Sequence, residues 1–236
     1  MSRGLAIHDP VDGVVAVELD RPPGNLFTVD LCRRLAALLE HPPEGAHVLR
    51  LRAAGDAFCL GRERGGSTPA ELRTEAQVLV DVMRALRRTR LVTVVEVQGD
   101  AAGFGVGLVA AFDVAVALET SRFSFPEVGI GLAPALVLAW LPRVVGEREA
   151  FWLTATGEAI PAARAVELGL VNAVVSSADE LRKHTDERVT ALRSRSPRVH
   201  ADIKDMLRVF AGVGDDQALD VSIDRLVVGS MRRGED

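Results

Sequence analysis

Three short segments among the first 131 residues carry residue types that can bind an anion or move a proton. The first, Gly55–Arg62, follows an apolar, strand-like run and has glycines at positions 55 and 61. These glycines let the backbone turn sharply, so that an amide can point into a cleft and bind an oxyanion. The same pattern is equally typical of an ordinary glycine-bearing loop.

The second segment, Gln98–Gly107, places glycine and alanine between an apolar run and a helical pattern. Small residues leave the amides of a helix N-terminus open, where the helix dipole favours negative charge. This arrangement suits a pyrophosphate or a thioester oxyanion. Glu119, 20 residues after the first glycine, suggests a dinucleotide site. The glycine spacing is GxGxG and not GxGxxG, which argues against that alternative.

The third segment, Phe123–Gly131, carries Glu127 directly after a proline. A carboxylate held among apolar neighbours is desolvated, which makes it a useful base towards a carbon acid. The alternative is a surface glutamate in a turn. Cys59 is a candidate nucleophile, but its flanking Phe58 and Leu60 indicate a small buried thiol.

The elements that position these segments alternate between strand-like and helix-like patterns. Predicted strands are Val14–Leu19, Val48–Arg52, Val92–Val97 and Val114–Leu118, and predicted helices are Thr28–Glu40, Glu71–Arg90 and Val106–Ala111. Ala53–Ser67 and Gly99–Gly107 are predicted as loops. The alternation favours an α/β fold with buried sheets.

The chain changes character after about residue 134, where helical patterns dominate. Predicted helices there are Ala135–Val145, Glu147–Thr156, Pro161–Leu168, Ala178–Ser194, Val199–Phe210 and Asp215–Val228, with Leu170–Val175 strand-like between them. The sequence therefore predicts a helical C-terminal region.

Composition excludes several classes of protein. The 236 residues are 48% hydrophobic, and 28 basic against 33 acidic side chains leave a net charge of −5, which disfavours a nucleic-acid partner. Two cysteines 27 positions apart and five scattered histidines predict neither a disulfide scaffold nor a metal site. We expect a reducing, cytoplasmic setting.

A membrane partner is also disfavoured by the sequence. The most apolar stretch, Val92–Leu118, is interrupted by Glu96, Asp100 and Asp113, which are costly in lipid. The polar and charged Met1–Pro10 lacks the apolar run of a secretory signal. We therefore expect no membrane association.

Taken together and in this order, the segments resemble the enoyl-CoA hydratase/isomerase family of the crotonase superfamily, over nearly the whole chain. The matching stretches are Leu19–Leu26, similar to a CoA-contact loop; Ala57–Arg62 and Val97–Gly107 leading to Asp113, similar to two oxyanion segments; Ala162–Val175, similar to a following element; and Ser196-Pro197 with Lys204, similar to the start of C-terminal helices.

The resemblance implies an α/β crotonase-type spiral of ββα units with a C-terminal helical region. Residues 1–175 would form the core with the acyl-CoA site, and residues 176–236 a helical oligomerisation region of a homotrimer or dimer of trimers. The implied partner is an acyl-CoA thioester. Coenzyme A is then part of the substrate, and neither a separate cofactor nor a metal is implied.

Residue by residue, the resemblance assigns the two oxyanion donors to the backbone amides of Arg62 and Phe104, and the acid/base role to Glu127. The substrate-binding residues that it implies are Leu26, Leu60, Arg62, Gly103, Phe104 and Leu132.

One departure from the family pattern bears on the reaction. Hydratases carry a second glutamate where this chain has Gly107. Syn hydration uses two carboxylates on one water, whereas moving a double bond from position 3 to position 2 needs one base. Together with the isomerase-like stretch Gly131–Pro134, this favours an enoyl-CoA isomerase.

Two alternatives stay open. One is an enoyl-CoA hydratase in which Asp100 replaces the missing carboxylate, and the other is a non-catalytic CoA-binding subunit. Retention of Glu127 and of both glycine-rich segments argues against the second alternative. Under the isomerase hypothesis, we expect Gly107→Glu to introduce hydration of a 2-enoyl-CoA.

Overall fold

A computed structural model describes residues 4–233 of the chain. Residues 1–3, which begin the predicted region 1–175 and the segment Met1–Pro10, lie outside the described residues. So do residues 234–236, which end the predicted region 176–236. Its strands are β1 Gly4–Ile7, β2 Val14–Asp20, β3 Val48–Ala53, β4 Ala57–Cys59, β5 Val92–Val97, β6 Asp100–Ala102, β7 Val114–Leu118, β8 Arg122–Ser124, β9 Ile160–Pro161 and β10 Ala173–Val175.

The helices flank and follow these strands. They are α1 Val29–Glu40, α2 Pro69–Arg88, α3 Phe104–Ala111, α4 Ala135–Leu138, α5 Leu141–Val145, α6 Glu147–Thr156, α7 Ala162–Glu167, α8 Ala178–Arg193, α9 Pro197–Phe210 and α10 Asp215–Met231, with a 3-10 helix over Pro126–Ile130.

The larger sheet has the strand order β1-β2-β3-β5-β7-β10. All its neighbours pair in parallel except β1, which is antiparallel to β2. Every residue of β5 is buried, as expected for a central parallel strand covered on both faces. The predicted α/β class is confirmed.

The smaller sheet, β4-β6-β8-β9, lies beyond the carboxyl ends of the larger one. A long strand followed by a short strand and a helix recurs as β3-β4-α2 and β5-β6-α3, with β7-β8 leading into the 3-10 helix. This repeat is the predicted spiral of ββα units. It brings the connections after successive long strands to one edge, where the short strands pair in parallel.

Two predicted loops contain regular structure. Ala53–Ser67 includes β4, and Gly99–Gly107 includes β6 and the start of α3. These three-residue strands carry no detectable period, and their hydrogen bonds come from each other across a long sequence distance. Likewise β1, β8 and β9 were not predicted, since their short runs depend on partner strands.

Several helix boundaries differ from those predicted, and local chemistry explains them. Helix α2 begins at Pro69 rather than at Glu71 because Thr68 and Glu71 form a capping box. The predicted helix Ala135–Val145 is two helices, since Pro142 cannot supply a backbone N–H within a continuous helix. The predicted strand Leu170–Val175 is shortened to β10.

The C-terminal helices are present as predicted, but they differ in burial. Helix α8 packs on β5 and β7 and buries Leu181, Thr185 and Val189. Helices α9 and α10 bury none of their residues fully. Within residues 4–233, none of the helices combines the length and the hydropathy that a membrane span requires.

Candidate active site

Pairing within the smaller sheet brings the first two predicted segments side by side. Ala57 and Cys59 of β4 lie opposite Asp100 and Ala101 of β6. The start of α3 then presses on β4, because a Cβ at Gly105 would overlap the Cys59 carbonyl group. The two candidate oxyanion segments are therefore adjacent in the fold.

The backbone of Arg62 lies at the end of the first segment, paired with Phe27. Phe27 donates its N–H to the Gly61 carbonyl at 3.0 Å and accepts from the Glu63 amide at 2.9 Å. In such a parallel pairing Arg62, which lies between the two bonded residues Gly61 and Glu63, directs its N–H to the side opposite Phe27. The Arg62 amide is thus directed away from Phe27.

The amide of Phe104 is the first N–H of α3, where helix geometry provides no acceptor. Gly103 is the N-cap, and its φ of 51° lies in the left-handed region that favours glycine. The Phe104 ring is buried and packs edge-to-face on Phe27, with ring centroids 5.6 Å apart. The side chain thus belongs to the core, whereas the amide is at an unshielded helix N-terminus.

Glu127 occupies the second position of the 3-10 helix after β8, and its carboxyl group lies against Gly103. A Cβ at position 103 would be 3.1 Å from the Glu127 Cδ and 3.3 Å from its Oε2. This Oε2 is buried and has no hydrogen-bond partner among residues 4–233. An unpaired carboxylate oxygen therefore lies beside the residue that precedes the Phe104 amide.

Comparison with known proteins identifies the family. The model of the enoyl-CoA hydratase/isomerase family matches residues 10–224, most of the chain. The chain belongs to this family.

Named relatives include both hydratases and an isomerase. The chain is 29% identical over 207 residues to an enoyl-CoA hydratase of Alternaria alternata, covering 86% of this chain and 70% of that protein. It is 29% identical over 232 residues to the trans-2-decenoyl-[acyl-carrier-protein] isomerase of Streptococcus mutans, covering 93% and 88%. The family thus includes both activities at similar distance.

Solved structures agree on the fold. An enoyl-CoA hydratase of Mycobacterium smegmatis superposes with a TM-score of 0.91 at 26% identity, covering 98% of this chain and 93% of that one. An enoyl-CoA hydratase of Shewanella pealeana gives 0.88 at 29% identity, covering 98% and 89%. The crotonase-type fold expected from the resemblance is confirmed.

Gly107, where the resemblance predicts a carboxylate in hydratases, faces a filled space. A Cβ there would lie 2.8 Å from Val137 Cγ2 and 3.3 Å from Trp140 Cζ2. Val137 is buried and stiff at χ1, so it cannot move aside cheaply. Our expectation that Gly107→Glu alone introduces a working carboxylate is therefore corrected: Val137 has to be shortened as well.

Asp100, the alternative second carboxylate, is already engaged. Its Oδ1 accepts a hydrogen bond from the Arg122 amide at 2.9 Å, and the residue is exposed at the start of β6. This contact fixes β8 to β6. The structure thus gives Asp100 a role in holding the strand that leads to Glu127.

Asn25 anchors the loop Leu19–Leu26, which the resemblance predicts to contact CoA, and it was not singled out from the sequence. Its Nδ2 donates to the carbonyls of Ala54 and Ala57 at 2.8 and 2.7 Å, and its Oδ1 accepts from the Arg21 amide. The buried asparagine, with a φ of 51°, ties this loop to β4. The only local signal was an asparagine after Pro-Pro-Gly.

Glu75 of α2 was also missed, because nothing local marks it. Its carboxylate accepts from the Arg62 guanidinium at 3.3 Å, from the Gly65 amide at 3.1 Å and from the Gly66 amide. These contacts fix the path of the chain just after the Arg62 amide. Only the tertiary fold brings the glutamate within reach.

The predicted apolar lining is spread along this edge of the molecule. Leu26 is half-buried, while Leu60 and Leu132 are 43% and 41% exposed. Leu60 packs on Gly24 and donates its amide to the Gly24 carbonyl, and Leu132 donates its amide to the Glu127 carbonyl at 3.0 Å. Leu26 also borders a cavity of about 680 Å³.

The two cysteines are free and buried. Burial raises the pKa of both Cys32 and Cys59 to about 12, which keeps them as thiols. The interpretation of Cys59 as a small buried thiol is confirmed. In the part of the chain that the structure describes, no group of three or more His, Cys, Asp or Glu residues is arranged to hold a metal ion.

Proposed function

We propose that this protein is an enoyl-CoA isomerase that converts a 3-enoyl-CoA to a 2-enoyl-CoA through an oxyanion-stabilised dienolate. The observation that carries the proposal is the placement of one unpaired Glu127 oxygen against Gly103, with apolar packing where a second carboxylate would lie. One base and two amides are the groups that this reaction needs.

In the proposed mechanism, the thioester carbonyl accepts hydrogen bonds from the amides of Arg62 and Phe104. Glu127 removes a proton from C2, and negative charge spreads from the C2–C4 unit onto the carbonyl oxygen. The same carboxyl group then returns the proton at C4. Because the amides act mainly on the charged dienolate, losing one such donor typically costs about 2.7–4 kcal/mol of transition-state stabilisation.

Enoyl-CoA hydratase is the second candidate, favoured because several relatives are enoyl-CoA hydratases by name. Hydration requires a second group to position a water next to Glu127. Gly107 carries no carboxylate and packs on Val137, and Oδ1 of Asp100 is already engaged by the Arg122 amide. These two observations support isomerisation as the main reaction.

We further propose that the substrate is held as its CoA ester along Leu26, Leu60 and Leu132, with no cofactor besides the coenzyme A that the substrate carries. The net charge of −5 gives no support to a nucleic-acid partner. The free thiols fit a reducing, cytoplasmic setting.

Assembly into a homotrimer or dimer of trimers is also a proposal, with the region 176–236 as its interface. Helix α10 exposes a set of large apolar side chains, each at least half accessible: Leu219, Ile223, Leu226, Val227 and Met231. Such an apolar surface is typical of protein contacts. Sedimentation of the full chain tests this assignment.

Glu127→Gln tests the proposed base. The variant keeps the size of the side chain but cannot accept the C2 proton, so isomerisation of a 3-enoyl-CoA should fall about 10²–10⁴-fold. Binding of a saturated acyl-CoA and the melting temperature should change little. Glu119→Gln, at an exposed glutamate after β7, is the matched control and should retain full activity. Undiminished turnover by Glu127→Gln would refute the assignment.

A further inference from the structure

The chain that follows the Arg62 amide is irregular, yet a single side chain holds it. Residues 63–68 form neither helix nor strand, and they include the adjacent Gly65 and Gly66, whose backbones are intrinsically free. Oε1 of Glu75, on α2, accepts from the Gly65 amide at 3.1 Å and from the Gly66 amide. Its Oε2 accepts from the Arg62 guanidinium at 3.3 Å. One carboxylate therefore binds both ends of the stretch 62–66.

The same carboxylate lies where the N-terminal part of α2 meets the rest of the molecule. Of residues 69–77, all are exposed except Glu75, whose side chain is 14% accessible. The buried residues of α2 begin at Leu79. Gly66 lies directly on the helix, because a Cβ there would be 3.0 Å from the Glu71 Cβ and from the Leu72 nitrogen. Loop and helix therefore hold each other at a polar contact centred on Glu75.

We infer that Glu75 is a positioning residue for the reaction, acting through the backbone of Arg62. Pairing of Gly61 and Glu63 with Phe27 directs the Arg62 N–H from one side. Glu75 fixes the side chain of Arg62 and the chain just beyond it. A donor stabilises an oxyanion only when its N–H is aimed at the oxygen, so this support bears on the rate. The inference rests on the proposed function and assigns Glu75 no contact with the substrate.

The chemistry of the side chain at position 75 allows a graded test. An ionised carboxylate offers about four acceptor sites, and its hydrogen bonds are about twice as strong as neutral ones. Glutamine keeps one oxygen at the same reach, so it can still accept from the Gly65 and Gly66 amides but cannot pair with the Arg62 charge. Aspartate keeps the charge but is one methylene shorter. Alanine removes all three contacts.

The first measurement is the rate of 3-enoyl-CoA isomerisation. Glu75→Ala should lower kcat by about 10–10²-fold with little change in KM, because a misplaced donor weakens stabilisation of the dienolate more than binding of the ester. Glu75→Gln should recover most of the lost rate, since it keeps both amide contacts. Asp81→Asn is the matched control on the same helix and should retain full activity. Asp81 contacts Gln77 and Arg84 of that helix.

The second measurement is the vibrational spectrum of a bound ester, which reports on the donors directly. Butyryl-CoA labelled with ¹³C at the thioester carbonyl has no double bond to move, and its C=O stretching frequency falls when amides donate to the oxygen. We expect a lowered frequency in complexes of the wild type, Asp81→Asn and Glu75→Gln. In the Glu75→Ala complex the band should move back towards that of the free ester. Lower stability alone would not move the band of a folded complex.

A folded Glu75→Ala complex with the wild-type carbonyl band would overturn the inference, whatever its rate. If Glu75→Ala does not fold, Glu75→Asp replaces it, and equal bands in Glu75→Asp and Glu75→Gln would overturn the inference in the same way. A wild type that lowers the carbonyl frequency but moves no double bond would refute the proposed function alone, and the bands of the variants would still decide the role of Glu75. A wild type that isomerises the ester without a lowered frequency would refute the inference alone.

Discussion

The Glu127 carboxyl group lies directly against Gly103 in the candidate site. Gly103 has a left-handed φ, and any Cβ at this position would meet the Glu127 carboxyl group. A side chain there would displace the base and strain the turn that presents the Phe104 amide. The glycine is therefore required for the proposed reaction on two independent grounds.

Gly103→Val should abolish isomerase activity, by at least about a hundredfold, because it disturbs both the base and the oxyanion donor. Helix content by circular dichroism should stay close to that of the wild type. Gly214→Val is the control, since Gly214 caps α10 with a negative φ and open space around it. Wild-type activity in a folded Gly103→Val protein would contradict the oxyanion assignment.

Gly107 decides between one carboxylate and two. The single variant Gly107→Glu collides with Val137, whereas Gly107→Glu/Val137→Ala removes that contact. We expect the double variant to hydrate a 2-enoyl-CoA measurably faster than Val137→Ala alone, because a second carboxylate can then position the water. The mass of the product reports the gain. Equal rates in a well-folded double variant would show that the position does not reach the substrate.

At the scale of elements, the packing of α3 on β4 sets the distance between the two proposed oxyanion amides. Gly105 makes this close approach possible, since an added Cβ would overlap the backbone of Cys59. A backbone group cannot move aside as a side-chain end can. The two elements can therefore pack this closely only because residue 105 has no side chain.

Gly105→Ala should destabilise the protein by about 1–3 kcal/mol, the usual cost of overpacking a close-packed interface. Gly129→Ala is the matched control, because no atom lies within 4 Å of a Cβ at that position. Urea unfolding of both variants gives the comparison. Equal stabilities of Gly105→Ala and Gly129→Ala would mean that the α3–β4 contact is looser than described.

The long elements were predictable from the sequence, and the short ones were not. β5 is a continuous apolar run and α1 has buried apolar residues at helical spacing, so both elements could be predicted from the local sequence. β4 and β6 are three residues each and depend on pairing with each other and, for β6, with β8. The contacts of Glu75 and Trp140 depend in the same way on the tertiary fold, which no local pattern encodes.

At the scale of the molecule, a pair of histidines joins α9 to the sheet. Nε2 of buried His47, directly before β3, lies 2.9 Å from Nδ1 of His200. In this hydrogen bond one nitrogen donates and the other accepts, so protonation of the accepting nitrogen breaks it. Burial, and then the nearby His200, lower the pKa of His47 below its ordinary value of 6.5.

This lowered pKa predicts how stability depends on pH. Below pH 6.5 the unfolded chain binds a proton at His47 more readily than the folded chain does. The contribution of neutral His47 to the free energy of unfolding is therefore full above pH 6.5 and declines as the pH falls. The free energy of unfolding in urea should therefore drop between pH 7.5 and 5.5. His47→Leu should show a smaller drop, and an equal drop would exclude His47 as a source.

The central claim is that this family member moves a double bond with one carboxylate. Parallel incubation of the wild type with a 3-enoyl-CoA and a 2-enoyl-CoA, reading double-bond position and mass, tests it most directly. We predict that the 3-enoyl ester becomes the 2-enoyl ester without change in mass, and that the 2-enoyl ester gains water slowly or not at all. Rapid addition of water to the 2-enoyl ester, with the 3-enoyl ester left unchanged, would contradict the proposed isomerase.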